Sequence, residues 1–475
     1  MIKQSTEYKI SSGRINFQDA VKKVVSIAFI TILPAAHAIA QEQIWNMNDC
    51  MAYAIDNSPR VKKQIHTDDT YQAEKSAAIA AFFPSVSVGS QGDFAFGRSI
   101  DPKTNTYNDV STFNNSYSLS ASLPVFDGGQ LVNKLRSAKI NTSIGSTSVE
   151  KEKDDLALNV MQAYIDAVYY SGTVKLAGER LRESRQILYK TKRQEELGVK
   201  GKADVAQIES QVAAEDYNLI HQQNLLNISL LTLKSHMNFP TENSLQIDTL
   251  FSEQIVMGGM ADADEIFEFA SEYNPTARIA TLKLRNADLQ HLVSKGKLYP
   301  TISLNGGISS NYFTNLNTSP DQGSSNSGSF FKQLGNNRGE YFYVSLNIPI
   351  FGGLSRFTEL RRSRNNLRIA YEDRTEVFRQ LQTAIEQAIL DSEGYAKEVI
   401  QMEKKVASDE ISYQITLRKF EEGLMSPLDL QLSSNNLLLS KANLLQCRLT
   451  LIIKQKLVDY YRGTPLVIVQ NTDIN

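Results

Sequence analysis

Two hydrophobic rhythms divide this chain. Short stretches alternate with period two: Ser85-Val86-Ser87-Val88, Tyr117 to Leu123, Thr301 to Asn305 and Val344 to Ile348. Such alternation places apolar side chains on one face of a β-strand and polar ones on the other. The polar positions here are Ser and Asn rather than charge, and aromatics such as Phe82, Phe83, Phe126, Tyr299, Tyr341 and Phe351 flank the strands. Between the strands the rhythm changes to a 4-3 spacing: Leu156, Val160, Ala163, Ala167, Tyr170, Val174, Ala177, Leu181, Ser184, Leu188. That is a coiled-coil seam sustained over several heptads, and its Ala and Ser content lets neighbouring helices pack closely. From Gly129 to Gly198 only Gly145, Gly172 and Gly178 interrupt the helical pattern. About 68 residues at 1.5 Å each make a helix of roughly 100 Å. The partner helix, Val205 to about Asn238, is half as long, and the helix from Arg60 to Phe83 is shorter still. Stacked end to end, these two nearly match the long one. The second half repeats the seam with Leu438, Ala442, Leu445, Leu449 and Ile452.

The repetition is exact in register. Leu123-Pro124-Val125-Phe126-Asp127-Gly128 matches Ile348-Pro349-Ile350-Phe351-Gly352-Gly353 at an offset of 225. Gly198 and Asp204 match Gly423 and Asp429 at the same offset. Upstream, Ala54, Pro59 and Pro84 match Ala270, Pro275 and Pro300 at an offset of 216, so the second copy holds nine extra residues between Pro300 and Pro349. That interval contains Thr318 to Gly328, a Ser/Asn/Gly tract with the composition of a flexible loop. Length varies in a loop and is constant in the helices. An internal repeat of this size makes each half one structural unit: helix, strand, loop, strand, helix, turn, helix.

Residues 1–40 read as a secretory signal: a basic stretch closed by Lys22 and Lys23, the apolar run Val24 to Ala36, and the Ala38-Ile39-Ala40 cleavage pattern. The apolar run is shorter than the roughly 20 residues a spanning helix needs. The expected organisation is therefore signal peptide 1–40, first repeat 41–240, equatorial linker 241–262, second repeat 263–461 and C-terminal tail 462–475. The linker with residues 263–273, together with the tail, is expected to belt the helical bundle. Two cysteines, Cys50 and Cys447, are able to pair in an exported chain, although each also fits an apolar helical stripe as a small hydrophobe. The net charge of −2 lacks the basic excess that nucleic acid requires.

Four strands constrain what the chain can be. In lipid, an open four-stranded sheet leaves two unpaired edges, each unmet backbone group costing several kcal/mol. Four strands are also too few to close a barrel. If the strands enter a membrane, several chains must share one barrel. Asp204 and Asp429 precede apolar helical runs and are expected to be N-caps, and Gly198 and Gly423 to supply positive φ in tight turns.

At this point the chain resembles the TolC-like outer-membrane efflux protein family. The resemblance rests on the two strand-end motifs (Pro124, Phe126, Gly128 and Pro349, Phe351, Gly353), the two hairpin tips Leu197 to Val205 and Glu422 to Leu430, and the duplication itself. It implies an α+β membrane protein in which long coiled-coil hairpins and four strands per protomer build a homotrimer. Three chains then complete a twelve-stranded β-barrel in the cell outer membrane and an α-barrel extending into the periplasm. It further implies Asp204 and Asp429 at the periplasmic aperture, with Gly198, Val199, Gly423, Leu424 and Ser426 at the tips that meet a periplasmic adaptor protein. An inner-membrane RND or ABC transporter would complete the system. The chain departs from the family pattern at Phe420, where a Tyr is usual, at Met425, where an Arg is usual, and at Leu432, where a second carboxylate is usual. A gate latched less tightly than in its relatives, or latched differently, is expected.

Enzymatic chemistry finds no motif: His66, His221, His236 and His291 are scattered, and no H-E-x-x-H, C-x-x-C, G-x-S-x-G or phosphate loop occurs. No cofactor is expected. The leading functional reading is a passive duct for small-molecule export. The duct of a type I protein secretion system is the alternative, and a periplasmic coiled-coil scaffold without a pore is the alternative of another class.

Overall fold

The computed structural model describes residues 44–100, 105–249, 262–316 and 329–467. The signal segment, the tract Thr318 to Gly328, much of the linker and the end of the tail lie outside the described residues. In chain order the elements are β1 (Ile44–Trp45), α1 (Met47–Asn57), α2 (Pro59–Ala80), β2 (Ser85–Ile100), β3 (Tyr107–Phe126), α3 (Gln130–Glu196) and α4 (Lys202–Met237). There follow β4 (Gln246–Ile247), α5 (Ala263–Tyr273), α6 (Pro275–Gly296), β5 (Thr301–Asn315), α7 (Phe330–Asn336), β6 (Gly339–Asn347), α8 (Ser355–Glu421) and α9 (Pro427–Tyr461).

The sequence offsets reappear in the element boundaries. Both ends of α1 and α2 recur 216 residues later in α5 and α6, and both ends of α3 recur 225 residues later in α8. The two long helices each have 67 residues, about 100 Å at the α-helical rise. The short-helix junctions use one device twice. Ser58 and Asn274 cap α2 and α6 with their side chains, and Pro59 and Pro275 occupy the first helical turn, where a missing N–H costs nothing. In α3, two interior glycines are packing notches. A Cβ at Gly145 would meet Asp68 and Tyr71 of α2, and one at Gly172 would meet the Leu445 side chain of α9.

The four long strands form one antiparallel sheet in the order β2-β3-β5-β6, leaving β2 and β6 as edges. They are longer than the alternation predicted: β2 has 16 residues and β3 has 20. Gly, Asn and Asp blur the alternation in their outer halves, but backbone pairing continues from Ser85↔Ser122 to Ile100↔Tyr107 regardless of side chain. The register gathers Val86, Val88, Leu119, Leu304, Val344 and Leu346 on one face. Val86, Val88, Val344 and Leu346 are all exposed, so within one chain this part of the apolar face has no cover. β6 ends at Asn347, which leaves Ile348 outside the sheet. The helix α7 was not legible in the sequence. It folds back on β5, where Ser310 Oγ donates to the Leu334 carbonyl at 2.7 Å.

Three apolar cores hold the bundle together. The largest joins Cys50 and Met51 of α1 to Val160 and Tyr164 of α3 and to Leu233 and Met237 of α4. Its second-repeat counterpart packs Ile266 and Ala270 of α5 on Ile385 and Ala388 of α8. The third lies near the ends of the hairpins. Around the first two, the expected belt has definite contacts. β4 pairs in parallel with β1, Leu466 and Val467 pack on the first core, and Phe269 lies against Gly463. Cys50 and Cys447 are free thiols on different helices, Cys50 buried and Cys447 half-buried. Burial, and then the charge of Asp49, push the Cys50 thiol up to about 12.

Candidate functional site

At the far end of each helical hairpin the chain reverses in the same way. Gly198 takes φ 77° and Gly423 takes φ 78°, with nothing near either one that a Cβ would strike. Glycine is needed there for its backbone freedom and not for space. The Gly198 N–H donates to the Glu195 carbonyl and the Val199 N–H to the Gln194 carbonyl, both at 2.8 Å. Gly423 and Leu424 repeat the pair on Phe420 and Lys419. This is the Schellman arrangement, which satisfies the carbonyls a helix end leaves open.

The next helix begins with a cap, but the aspartates are not the N-caps that the sequence suggested. The N-cap residues are Gly201 and Ser426, and α4 starts at Lys202, earlier than read. Asp204 and Asp429 sit three residues on, in the first turn. Each reaches back, accepting the backbone N–H of Gly201 or Ser426 at 3.1 Å. Ser426 returns the bond, accepting the Asp429 N–H at 3.2 Å and donating its hydroxyl to the same carboxylate at 2.7 Å. Those Ser426 bonds, side chain first, hold the Asp429 carboxyl below the ordinary carboxylate range. Glycine lacks the reciprocal side chain, so the first tip has half a capping box and the second a whole one. Val199, Leu424 and Leu428 stand exposed around them.

The two tips lie side by side. Lys190 of α3 pairs with Glu421 of α8 at 2.6 Å, and Lys200 places its ammonium 4.4 Å from the centre of the Phe420 ring. Phe420 is only 2 % exposed and packs with Ile187, Ile208, Tyr413 and Leu430, with Met425 half-buried beside them. Higher up, Arg180 joins three helices. It donates to Glu215 of α4 at 3.4 Å, to Glu183 of its own helix at 3.2 Å and to the Tyr413 hydroxyl of α8 at 3.2 Å. Arg180 and Glu215 are 7 % and 4 % exposed, and Gln211 completes the Glu215 shell. Burial, then the neighbouring Glu183 carboxylate, keep the Tyr413 phenol protonated well above its ordinary range.

The strand-end motifs differ between the copies. The β3–β5 register shifts between Pro124 and Phe126, a bulge just before the strand ends. Gly128 follows at φ 69°, packed so that a Cβ would strike the Gly296 carbonyl, and the Asp127 carboxylate accepts the Leu131 N–H at 2.7 Å. In the second copy Pro349 and Phe351 lie beyond the end of β6, and Gly353 at φ 61° is followed by Leu354 at φ 63°. Leucine there accepts a left-handed conformation that the first copy gives to Gly129.

Residues 52–238 match the family model described as outer membrane efflux protein. The fold also aligns with solved structures, CusC and VceC among them. CusC gives a TM-score of 0.76 at 17% identity, covering 88% of this chain and 92% of that one. The outer membrane protein VceC from Vibrio cholerae gives 0.72 at 14% identity, covering 88% and 96%. Over this segment and in its fold the chain is similar to outer membrane efflux proteins. Nodulation protein T from Rhizobium leguminosarum bv. viciae is 24% identical over 328 residues, 68% of this chain and 62% of that protein's length.

Among the described residues no group of three or more His, Cys, Asp or Glu is placed to hold a metal ion, and no helix is long and apolar enough to cross a membrane. Sequence reading missed the Arg180 cluster. The signal was present: a cation between seam positions Ala177 and Ser184, one turn of helix from each, is on or beside the buried face. Its partners Glu215 and Tyr413 are distant in sequence, so only the packing identifies them.

Proposed function

We propose that the chain is one subunit of a homotrimeric outer-membrane duct, passive toward its cargo, that exports small molecules from the periplasm. One observation carries this reading. A four-stranded sheet with two free edges and one largely uncovered apolar face is joined to paired helices of about 100 Å. Three such sheets close a barrel, the apolar faces meet lipid, and the helices reach far into the periplasm. The likeness to CusC and VceC supports the same architecture.

In this reading Asp204 and Asp429 ring the periplasmic aperture, where carboxylates favour cations. The exposed tip residues Val199, Leu424 and Ser426, with the turn glycines Gly198 and Gly423, face a periplasmic adaptor. That adaptor couples the duct to an inner-membrane RND or ABC transporter. Closure rests on contacts other than the family's Tyr and Arg pair. Phe420 has no hydroxyl to give, and Lys200 over its ring with Lys190 on Glu421 supports a tie between the hairpins instead.

Fractionation with crosslinking tests the proposal. Heat-modifiable trimers in outer-membrane fractions, and an adaptor captured through cysteines placed at Val199 or Leu424, are the expected results. Recovery of the chain solely as soluble periplasmic protein would remove the duct and leave a scaffold. Deletion should raise susceptibility to exported toxic compounds.

A further inference from the structure

The strand register assigns each sheet residue a face, and the face opposite the apolar one carries an arrangement that a simple duct does not require. Cross-strand partners share a face. One row across the sheet is Ser85, Ser122, Asn305 and Tyr343, and the next is Ser87, Ser120, Gly307 and Tyr341. These rows lie at the ends of the strands nearest the helices. The hydroxyls and amide are laced together. Ser87 Oγ and Ser120 Oγ are 2.8 Å apart, Ser85 Oγ donates to the Ser122 carbonyl at 3.2 Å, and Asn305 Nδ2 donates to Ser303 Oγ at 3.2 Å.

Tyr341 lies across Gly307, where a Cβ would collide with its phenol ring, so the glycine lets the ring rest flat on the sheet. Tyr343 stacks beside it, with ring centroids 6.0 Å apart and planes 27° from parallel. Both remain open to solvent, at 40% and 53% exposure. Neither row holds a charge. Glu340 points to the other face, and Asp93, bound by Asn114 Nδ2 at 3.3 Å, lies three rows beyond Ser87. Covering a glycine stabilises a strand and accounts for Tyr341. It does not account for Tyr343, whose cross-strand partner is Asn305.

We propose that Tyr341 and Tyr343 form a recognition collar for neutral, hydroxylated ring solutes, the chemistry of a saccharide. The proposal rests on the reading of the chain as a barrel-forming duct, in which the polar face lines the lumen. Three copies set the ring platforms around the throat where barrel meets helices. The C–H face of a sugar ring stacks on a phenol, and its hydroxyls exchange hydrogen bonds with the tyrosine and serine hydroxyls. A charged solute finds no counter-charge in these rows, so it gains no comparable hold. The collar sorts by ring and hydroxyl, and any charge selection falls to the aspartates at the other end.

The test uses the full-length trimer in planar lipid bilayers, with maltohexaose added on the extracellular side as the probe. The expected result is concentration-dependent interruption of single-channel current. Y341S/Y343S should weaken that block at least tenfold, Y341F/Y343F should retain part of it, and D93N should leave it unchanged. The K⁺/Cl⁻ permeability ratio should be the same in the wild type and both tyrosine variants. Channels that conduct but ignore maltohexaose, or a serine variant blocked as strongly as the wild type, would overturn the collar while leaving the duct intact. Absence of any conductance step from correctly assembled wild-type trimers would overturn the duct and the collar with it.

Discussion

Single residues at the hairpin tips separate backbone need from side-chain need. Gly423 sits at φ 78° in open space, whereas Gly394 sits mid-helix in α8, also in open space, with an ordinary helical backbone. Gly423→Ala should therefore destabilise by about 1–2 kcal/mol, the cost of forcing a Cβ into the left-handed region. Gly394→Ala should stabilise by about 0.5–1 kcal/mol. Thermal unfolding of the purified protein would check both, and the same sign for both changes would contradict the argument. Asp429 carries a pH signature. Its folded-state pKa is depressed by Ser426, so the cap's contribution is fully present above the ordinary carboxylate pKa and is lost as pH falls through the depressed value. Protection factors of the amides across residues 426–430 should fall below about pH 4, where an unperturbed Asp begins to protonate. In Asp429→Asn that pH dependence should disappear.

At the scale of elements, the hairpins are joined by two kinds of contact with different energetics. Lys190–Glu421 is exposed on both sides and contributes little at physiological salt. Arg180 and Glu215 are nearly fully buried. Removing the cation alone, as in Arg180→Met, strands a carboxylate among packed helices and should cost about 3–5 kcal/mol. Arg180→Met combined with Glu215→Leu should recover much of that loss, because an apolar pair of similar volume avoids the desolvation of both charges. A double-mutant cycle in denaturant unfolding measures it, and additive effects would mean the two side chains are not coupled.

For the whole molecule, the proposed duct and the strand register together predict which face meets lipid and which the lumen. Leu119 lies centrally on the apolar face and Ser116 on the polar one. Leu119→Arg should oppose membrane insertion by about 2–4 kcal/mol if the site falls near the bilayer midplane. Ser116→Arg should insert normally and alter conductance instead. Heat-modifiable trimer in outer-membrane fractions reads the first effect and bilayer recording the second. Equal loss of insertion for both would invert or abolish the assignment of lipid and lumen faces.

The duplication, the long helices and the tip turns were legible because each depends on local regularities: a repeated spacing of landmark residues, a sustained heptad, a glycine where φ must be positive. Offsets of 225 and 216 located equivalent elements to the residue because helices tolerate no insertion without rotating their seam. Strand ends were less legible. Alternation marks a strand only while side chains alternate, yet β2 and β3 continue pairing through Gly, Asn and Asp because the ladder bonds belong to the backbone. The place of Asp204 and Asp429 in the first turn, not at the cap, turned on a helix start that moved by a few residues. What only the tertiary structure decided were the meetings between residues distant in the chain. Arg180 with Glu215 and Tyr413, Leu445 against Gly172, and Tyr341 over Gly307 depend on which helices and strands become neighbours. Periodicity tells a residue which way to face, but its partner is chosen by the packing of whole elements.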